Sequence, residues 1–126
     1  MDENEISYSI RGAIFKVYYE LGPGLLESIY VSALEIELKL AKLDVQKEVE
    51  IPVYYKQNNL NLNLRLDLLV NNKVIIEVKS VENLNPVHHK QLISYLKISR
   101  LKLGILVNFN EIDIKEGIFR KVNGYI

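Results

Sequence analysis

Cysteine is absent from this 126-residue chain, and so are the usual signatures of membrane or secreted proteins. Without cysteine the protein has no disulfides and no thiolate-bound zinc or iron–sulfur site. No apolar run approaches the roughly 18 residues that a membrane helix requires. The acidic start at residues 1–5 does not resemble a secretory signal, which begins with basic residues. We therefore expect a soluble, cytoplasmic protein that has no membrane partner.

Several sequence motifs that define enzyme classes are also missing. The chain has no glycine-rich phosphate loop, no dinucleotide fingerprint and no Ser/His/Asp set. Repeats and low-complexity segments are absent as well. Hydrophobic residues make up 48% of the sequence, which is enough for one core in a chain of this length. We expect residues 1–126 to form a single domain.

The net charge is zero, but the charges are unevenly distributed. Residues 1–50 contain ten acidic and five basic side chains, whereas residues 51–126 contain six and eleven. Lys90, Lys97 and Arg100 fall in a stretch that has no acidic residue. These three side chains are candidates for binding a phosphate backbone, although a solvated helix face explains them equally well. A zero net charge argues against strong, indiscriminate binding of nucleic acid.

Hydrophobic periodicity predicts an α/β protein. Helices are predicted at residues 6–21, about 25–43 and 86–99, and strands at 47–56, 60–70, 74–79, 102–109 and 117–122. Pro52 cannot donate to a strand ladder, so the first strand belongs at a sheet edge. The strand–helix–strand order from residue 74 to 109 predicts a parallel crossover. The expected fold is a mixed sheet, an antiparallel three-strand meander plus one parallel strand, flanked by helices.

The connection between the second and third strands decides which side chains share a face. A two-residue turn would place Asp67 and Glu77 on opposite faces. A three-residue connection, residues 71–73, pairs Val70 with Val74 and sets Asp67 opposite Glu77; a β-bulge near Leu69 has the same effect. This register also places the apolar side chains of the two strands on one continuous face, and burial therefore favours it. That face comprises Leu64, Leu66, Leu68, Val70, Val74, Ile76 and Val78.

The chosen register predicts a small acidic pocket beside one ammonium group. Glu77 and Lys79 point to the same side of their strand, and Asp67 joins them from the neighbouring strand. Such a set of oxygen ligands suits a hard divalent cation such as Mg²⁺ or Mn²⁺, which would activate water and stabilise charge on a phosphate. The alternative is a surface patch in which Lys79 neutralises two acids.

Two pairs of helical residues are further candidates. Gln91 and Tyr95 are four residues apart and share a helix face, from which they would reach the pocket. Glu27 and Tyr30 lie near the start of the second helix. An acid is also favoured there by the helix dipole alone, so local stability is the competing explanation for Glu27.

Five blocks of the sequence resemble the GxxExxY protein family, a branch of the PD-(D/E)XK nuclease superfamily. They are GLLESIY (24–30), RLDLLV (65–70), EVK (77–79), QLISYL (91–96) and GILVNF (104–109). The resemblance implies a restriction-endonuclease-like core with Asp67, Glu77 and Lys79 at the active centre. It also implies that Glu27 is a further acidic metal ligand and that Gln91 lies near the site. Leu66 stands where the superfamily motif has proline.

These observations predict a metal-dependent nuclease or related phosphodiesterase that acts on DNA or RNA. In this hypothesis Lys79 orients water and offsets phosphate charge rather than removing a proton, since two carboxylates favour a charged lysine. A homodimer is compatible with cutting two strands. The alternative is a catalytically silent module on the same fold that binds nucleic acid or a partner protein.

Overall fold

The computed structural model describes residues 1–125 as three helices and five strands. The helices are α1 (Glu3–Leu21), α2 (Glu27–Leu40) and α3 (Pro86–Ser99), and the strands are β1 (Val45–Tyr55), β2 (Asn58–Val70), β3 (Val74–Lys79), β4 (Leu103–Asn108) and β5 (Ile118–Val122). A short 3₁₀ turn, Ile114–Gly117, precedes β5. The bounds agree with the predicted elements to within a few residues at each end.

The five strands form one mixed sheet in the order β1-β2-β3-β4-β5. Neighbours are antiparallel except β3 and β4, which are parallel and are connected through α3. β1, which contains Pro52, is an edge strand as predicted, and β5 forms the other edge. The predicted α/β architecture, a meander extended by a parallel crossover, is confirmed.

Helices cover both faces of the sheet. α1 and α2 pack on one face through a core that includes Ile10, Leu34 and Ile76. α3 packs on the other face, where Leu92 and Leu96 contact Ile75 and Leu106. The central strands β3 and β4 are therefore buried on both sides, which explains their nearly continuous apolar sequences.

The β2–β3 connection has the predicted three-residue length. Val70 pairs with Val74, and the Lys73 amide donates to the Val70 carbonyl at 3.0 Å. Asn71 and Asn72 adopt φ angles of 51° and 53°, a left-handed conformation that asparagine tolerates better than most residues. The register that brings Asp67 opposite Glu77 is thus fixed by a turn whose sequence suits it.

The predicted continuous apolar face is wrong at its β2 end. Leu68 and Val70 belong to the core beneath α1 and α2, whereas Leu66 belongs to the core beneath α3. The usual alternation of β2 is therefore broken around Asp67. On the paired strand β1, Glu48 lies between the partners of Leu66 and Leu68 and has a φ of 56°. At this level the side chains of both strands switch from one face of the sheet to the other.

Beyond this point β1 and β2 leave the main sheet as a two-stranded ribbon, residues 48–67. Only residues 68–70 of β2 pair with β3, so the ribbon's strands pair with each other alone. Its outer half is exposed, including Tyr54 and Leu62, which are 60% and 67% accessible. The pairing register shifts between Pro52 and Tyr54.

No helix within residues 1–125 has the length and apolar character needed to cross a membrane.

The close packing of α3 on β4 depends on Gly104. A Cβ atom at this position would lie 2.8 Å from Leu92 Cδ1, inside a fully buried contact. We expect Gly104→Ala to lower the free energy of unfolding by about 1–3 kcal/mol through overpacking, as measured by urea denaturation. Gly12→Ala is the matched control, because its Cβ meets nothing within 4 Å and alanine favours the helix. Equal stability of the two variants would contradict the packing argument.

Candidate functional site

The carboxylates of Asp67 and Glu77 each accept a hydrogen bond from a backbone amide of the opposite strand, β3 or β2. The Asp67 amide donates to Glu77 Oε2 at 2.8 Å, and the Val78 amide donates to Asp67 Oδ2 at 2.8 Å. The regular pairing of these strands stops one step earlier, at Leu68 and Ile76. Carboxylate oxygens therefore occupy places that backbone carbonyls take in a regular ladder, and the two acids that the sequence singled out lie together.

The acid pair is electrostatically unfavourable when both groups are charged. Glu77 is only 6% accessible. Burial, and then the charge of Asp67, raise the pKa of Glu77 to about 8. Burial also raises the pKa of Asp67, although the hydrogen bond from Val78 and the charge of Lys79 oppose this shift. A buried carboxylate next to a half-buried one favours either a retained proton or a bound cation.

Lys79 lies at the carboxyl end of β3, two residues beyond Glu77. Its positive charge lowers the pKa values of both Asp67 and Glu77. No ion pair within 4.0 Å involves Lys79 in the part of the chain that the structure describes. The ammonium group is therefore near the acids without being neutralised by either of them at contact distance.

Glu27, at the first position of α2, faces the end of β3. The Ser80 amide donates to Glu27 Oε2 at 3.2 Å, and the Ser80 hydroxyl donates to the Leu25 carbonyl at 2.6 Å. These bonds attach the start of α2 to the segment that follows Lys79. Among residues 1–125, no three Asp, Glu or His side chains lie close enough to hold a metal ion together. The carboxylates of Asp67, Glu77 and Glu27, which the sequence predicts to share a metal ion, therefore do not converge on one point. One oxygen of Glu27 accepts from the Ser80 amide instead.

Tyr30 is a buried structural residue rather than a group that faces the acids. Its ring stacks on Phe109, with centroids 4.2 Å apart. Its hydroxyl donates to the Gly22 carbonyl at 2.5 Å and accepts from the Leu25 amide at 3.1 Å. Tyr30 thus fixes the loop that precedes Glu27, which also explains why α2 begins two residues later than predicted.

The α3 candidates Gln91 and Tyr95 differ in their relation to the acids. Tyr95 is half-buried and packs at the edge of the core beneath α3. Burial raises its pKa, and the charges of Glu77 and Asp67 raise it further, which places Tyr95 near the pair. Gln91 is exposed one helical turn earlier. The structure brings Tyr95 near the acids and leaves Gln91 exposed on α3.

Asn108 is a site-supporting residue that sequence reasoning missed. It is fully buried and is paired with Lys79 in the parallel β3–β4 register. Its Oδ1 accepts from the Val81 amide at 3.0 Å, and its Nδ2 donates to the Val81 carbonyl at 2.9 Å. This side chain therefore clamps the backbone on the far side of Ser80. No local sequence signal identifies the clamp, because its partners are 27 residues apart.

A cleft of about 240 Å³ opens beside Asp67, between α2 and the strands β1 and β2. Its lining includes Glu27 and Asp67 from the predicted site together with Lys47 and Arg65. A larger cavity of about 780 Å³ lies at the start of α2 and shares Glu27 with the cleft. Glu27 thus marks the point where the two cavities meet.

The predicted basic residues of α3 lie elsewhere. Lys97 and Arg100 line a separate groove of about 480 Å³, between the end of α3 and the ribbon, together with Tyr54. Lys90 is exposed on the first half of α3. None of these three residues lines the cleft beside Asp67.

The acid pair fits a hard divalent cation. Each carboxylate gives one oxygen to a backbone amide, which leaves its second oxygen free. Mg²⁺ is typically held by one or two carboxylates and several waters rather than by a full protein cage. Two adjacent carboxylates, one of them buried, are also an environment that a cation stabilises. The donor set of Asp67 and Glu77 therefore fits Mg²⁺ or Mn²⁺ without a third carboxylate.

A mixed sheet between helices, with paired acids and a lysine at the carboxyl end of its parallel strands, defines a restriction-endonuclease-like fold. Residues 4–121 match the sequence profile of the PD-(D/E)XK nuclease superfamily. The chain belongs to this superfamily.

One solved structure gives a comparison at the level of the fold. The protein SSO0001, known from a crystal structure, is similar to this chain with a TM-score of 0.58 and 25% sequence identity. The similarity covers 79% of this chain and 52% of the SSO0001 chain, so this chain spans about half the length of that relative. A search of curated proteins finds no match.

The burial of Glu77 beside Asp67 predicts an unusual pH dependence of stability. Folding raises the pKa of Glu77 from 4.5 to about 8, so the folded protein keeps this proton at pH values where an unfolded chain releases it. The free energy of unfolding of the metal-free protein should therefore fall as pH rises between these values, by at most about 5 kcal/mol. Urea denaturation in EDTA at several pH values measures this slope.

The control separates Glu77 from other acids. Glu77→Gln keeps an oxygen for the Asp67 amide but removes the titrating group, so most of the slope should disappear. Glu50→Gln, at an exposed position of β1, should leave the slope unchanged. A slope that survives in Glu77→Gln would show that the pair is not its origin.

The hydroxyl of Tyr30 should contribute measurably to stability. Tyr30→Phe leaves the Gly22 carbonyl and the Leu25 amide without their shared partner. We expect a loss of about 1–2 kcal/mol in the free energy of unfolding, as measured by chemical denaturation. Tyr19→Phe, at a side chain that is 75% exposed, is the matched control and should change little.

Proposed function

We propose that this protein is a Mg²⁺- or Mn²⁺-dependent nuclease that hydrolyses phosphodiester bonds of DNA or RNA. The observation that supports it best is the adjacent pair of carboxylates, Asp67 and Glu77, each held by one backbone amide of the opposite strand. Membership of the PD-(D/E)XK superfamily supports the same reaction class. We also propose that residues 1–126 act as one nuclease-like domain, and that within the superfamily the chain belongs to the GxxExxY group.

In this proposal Asp67 and Glu77 hold the metal ion, and Glu27 faces it from across the cleft. The ion, when bound, supplies electrostatic stabilisation of the phosphate and activation of water. Burial of Glu77 restricts access of bulk solvent to this side of the site. Both carboxylates must be ionised to act as ligands, so a bound cation must displace the proton that Glu77 otherwise keeps.

Lys79 orients the attacking water and offsets charge on the scissile phosphate. Its position beyond Glu77, close to both acids but not ion-paired, supports this role. The Asn108 clamp and the Ser80–Glu27 bond support the proposal further, because they fix the backbone on either side of the lysine. Tyr95 borders the pair, and Gln91, exposed on α3, contacts substrate or water.

Asp67→Asn is the most direct test of the proposed activity. The amide retains an oxygen that accepts from the Val78 amide, so the fold should persist, but the ligand charge is lost. We expect metal-dependent cleavage to fall by at least about 100-fold, which corresponds to roughly 3 kcal/mol of transition-state stabilisation. The assay uses single-stranded, duplex and branched DNA and RNA, with Mg²⁺ or Mn²⁺.

Asp44→Asn is the matched control, since Asp44 is exposed just before β1 and outside the cleft. It should cleave like the unchanged protein. Cleavage that persists in Asp67→Asn would contradict the proposed site. Salt-sensitive binding of nucleic acid with no turnover on any substrate would instead indicate a silent binding module.

A further inference from the structure

Two basic side chains stand at the cleft beside Asp67, and the sequence motifs assign them no role. Lys47 comes from β1, and Arg65 comes from β2, two residues before Asp67. They come together because β1 and β2 pair antiparallel at the level where both strands change faces. The cleft therefore presents two cations next to the proposed metal ligands.

Both cations are held by weak, exchangeable partners. Lys47 Nζ lies 3.8 Å from Glu35 Oε1 and 3.4 Å from Ser32 Oγ. Arg65 Nη2 lies 3.4 Å from Glu48 Oε1, and both of these side chains are more than half exposed. Exposed ion pairs of this kind contribute little to stability. The carboxylates of Glu35 and Glu48 thus occupy positions that a phosphate oxygen would take at small cost.

The cleft adjoins the larger cavity at the start of α2. It shares Glu27 and Ser28 with the larger cavity at the start of α2, which extends to Ser80 and Asn110. A polymer strand that runs through the larger cavity and then the cleft passes Glu27 and Asp67 before it reaches Lys47 and Arg65. The acids repel phosphate along this route, so cations at its end are needed to retain a strand there.

We propose that Lys47 and Arg65 form a phosphate-binding subsite for the nucleic-acid strand, next to the phosphate that is cleaved. This inference rests on the proposed nuclease function and adds how its substrate is held. Lysine and arginine side chains are the groups that most often bind backbone phosphates.

Salt dependence of binding tests the subsite without requiring cleavage. The probe is a fluorescein-labelled oligothymidylate, and its affinity for the full chain is measured by anisotropy in EDTA over a range of KCl concentrations. Each phosphate contact on a single strand contributes about 0.7 to the slope of log K against log [salt]. Lys47→Gln and Arg65→Gln should each reduce the slope by about 0.7, which is roughly a fivefold loss of affinity at 0.1 M relative to 1 M salt.

Lys39→Gln is the control with the same charge change. Lys39 also pairs with Glu35, at 3.5 Å, but it lies outside the cleft. The slope of log K against log [salt] for Lys39→Gln should match that of the unchanged protein. Glu35→Gln and Glu48→Gln remove the competing carboxylates and should strengthen binding at low salt.

The outcomes separate this inference from the proposed function. If the unchanged protein binds and cleaves but Lys47→Gln and Arg65→Gln keep its salt slope, the subsite is wrong and the nuclease proposal stands. Loss of slope only in Lys97→Gln and Arg100→Gln would place the strand along α3 and also overturn the subsite. If the unchanged protein binds no nucleic acid and cleaves none, both proposals fail.

Discussion

Two backbone amides determine the geometry on which this protein depends. The Asp67 and Val78 amides each donate to a carboxylate of the opposite strand, so the acids are part of the β2–β3 ladder rather than additions to it. Any change in the strand register would separate them. The turn at Asn71 and Asn72, the buried face of β3 and the spacing of the acids therefore act together, and the chemistry of the site is determined by the pairing of two strands.

The pairing of β2 and β3 places the carboxyl group of Glu77 in a buried position beside a second carboxyl group, where ionisation is unfavourable. The pKa of Glu77 rises to about 8 because burial and a neighbouring acid both oppose its ionisation. The surrounding backbone is correspondingly well anchored: Asn108 clamps Val81, and Ser80 is bonded to Glu27 and Leu25. Rigid support around an unfavourable charge pair is typical of sites whose charge is completed by a ligand.

The sequence predicts most of the fold and only part of the site. Alternating apolar residues in β2 and β3 are sufficient to select the register, and Pro86 and the apolar run of β4 predict the crossover. Strict alternation predicts the wrong face for Leu66, because the side chains of β2 switch faces at Asp67. The clamp by Asn108 and the position of Lys47 beside Asp67 depend on contacts between distant segments. Such contacts produce no periodic pattern in the sequence from which they could be predicted.

The ribbon of residues 48–67 differs from the main sheet in its strand pairing, because its two strands pair mainly with each other. Its irregular pairing lies between Pro52 and Tyr54, on the outer side of the level where β1 and β2 change faces. Residues could be added to or removed from the tip without moving Asp67, since Asp67 is itself hydrogen-bonded to β3 through Glu77 and Val78. The length of this extension and the geometry of the acid pair can therefore change independently of each other.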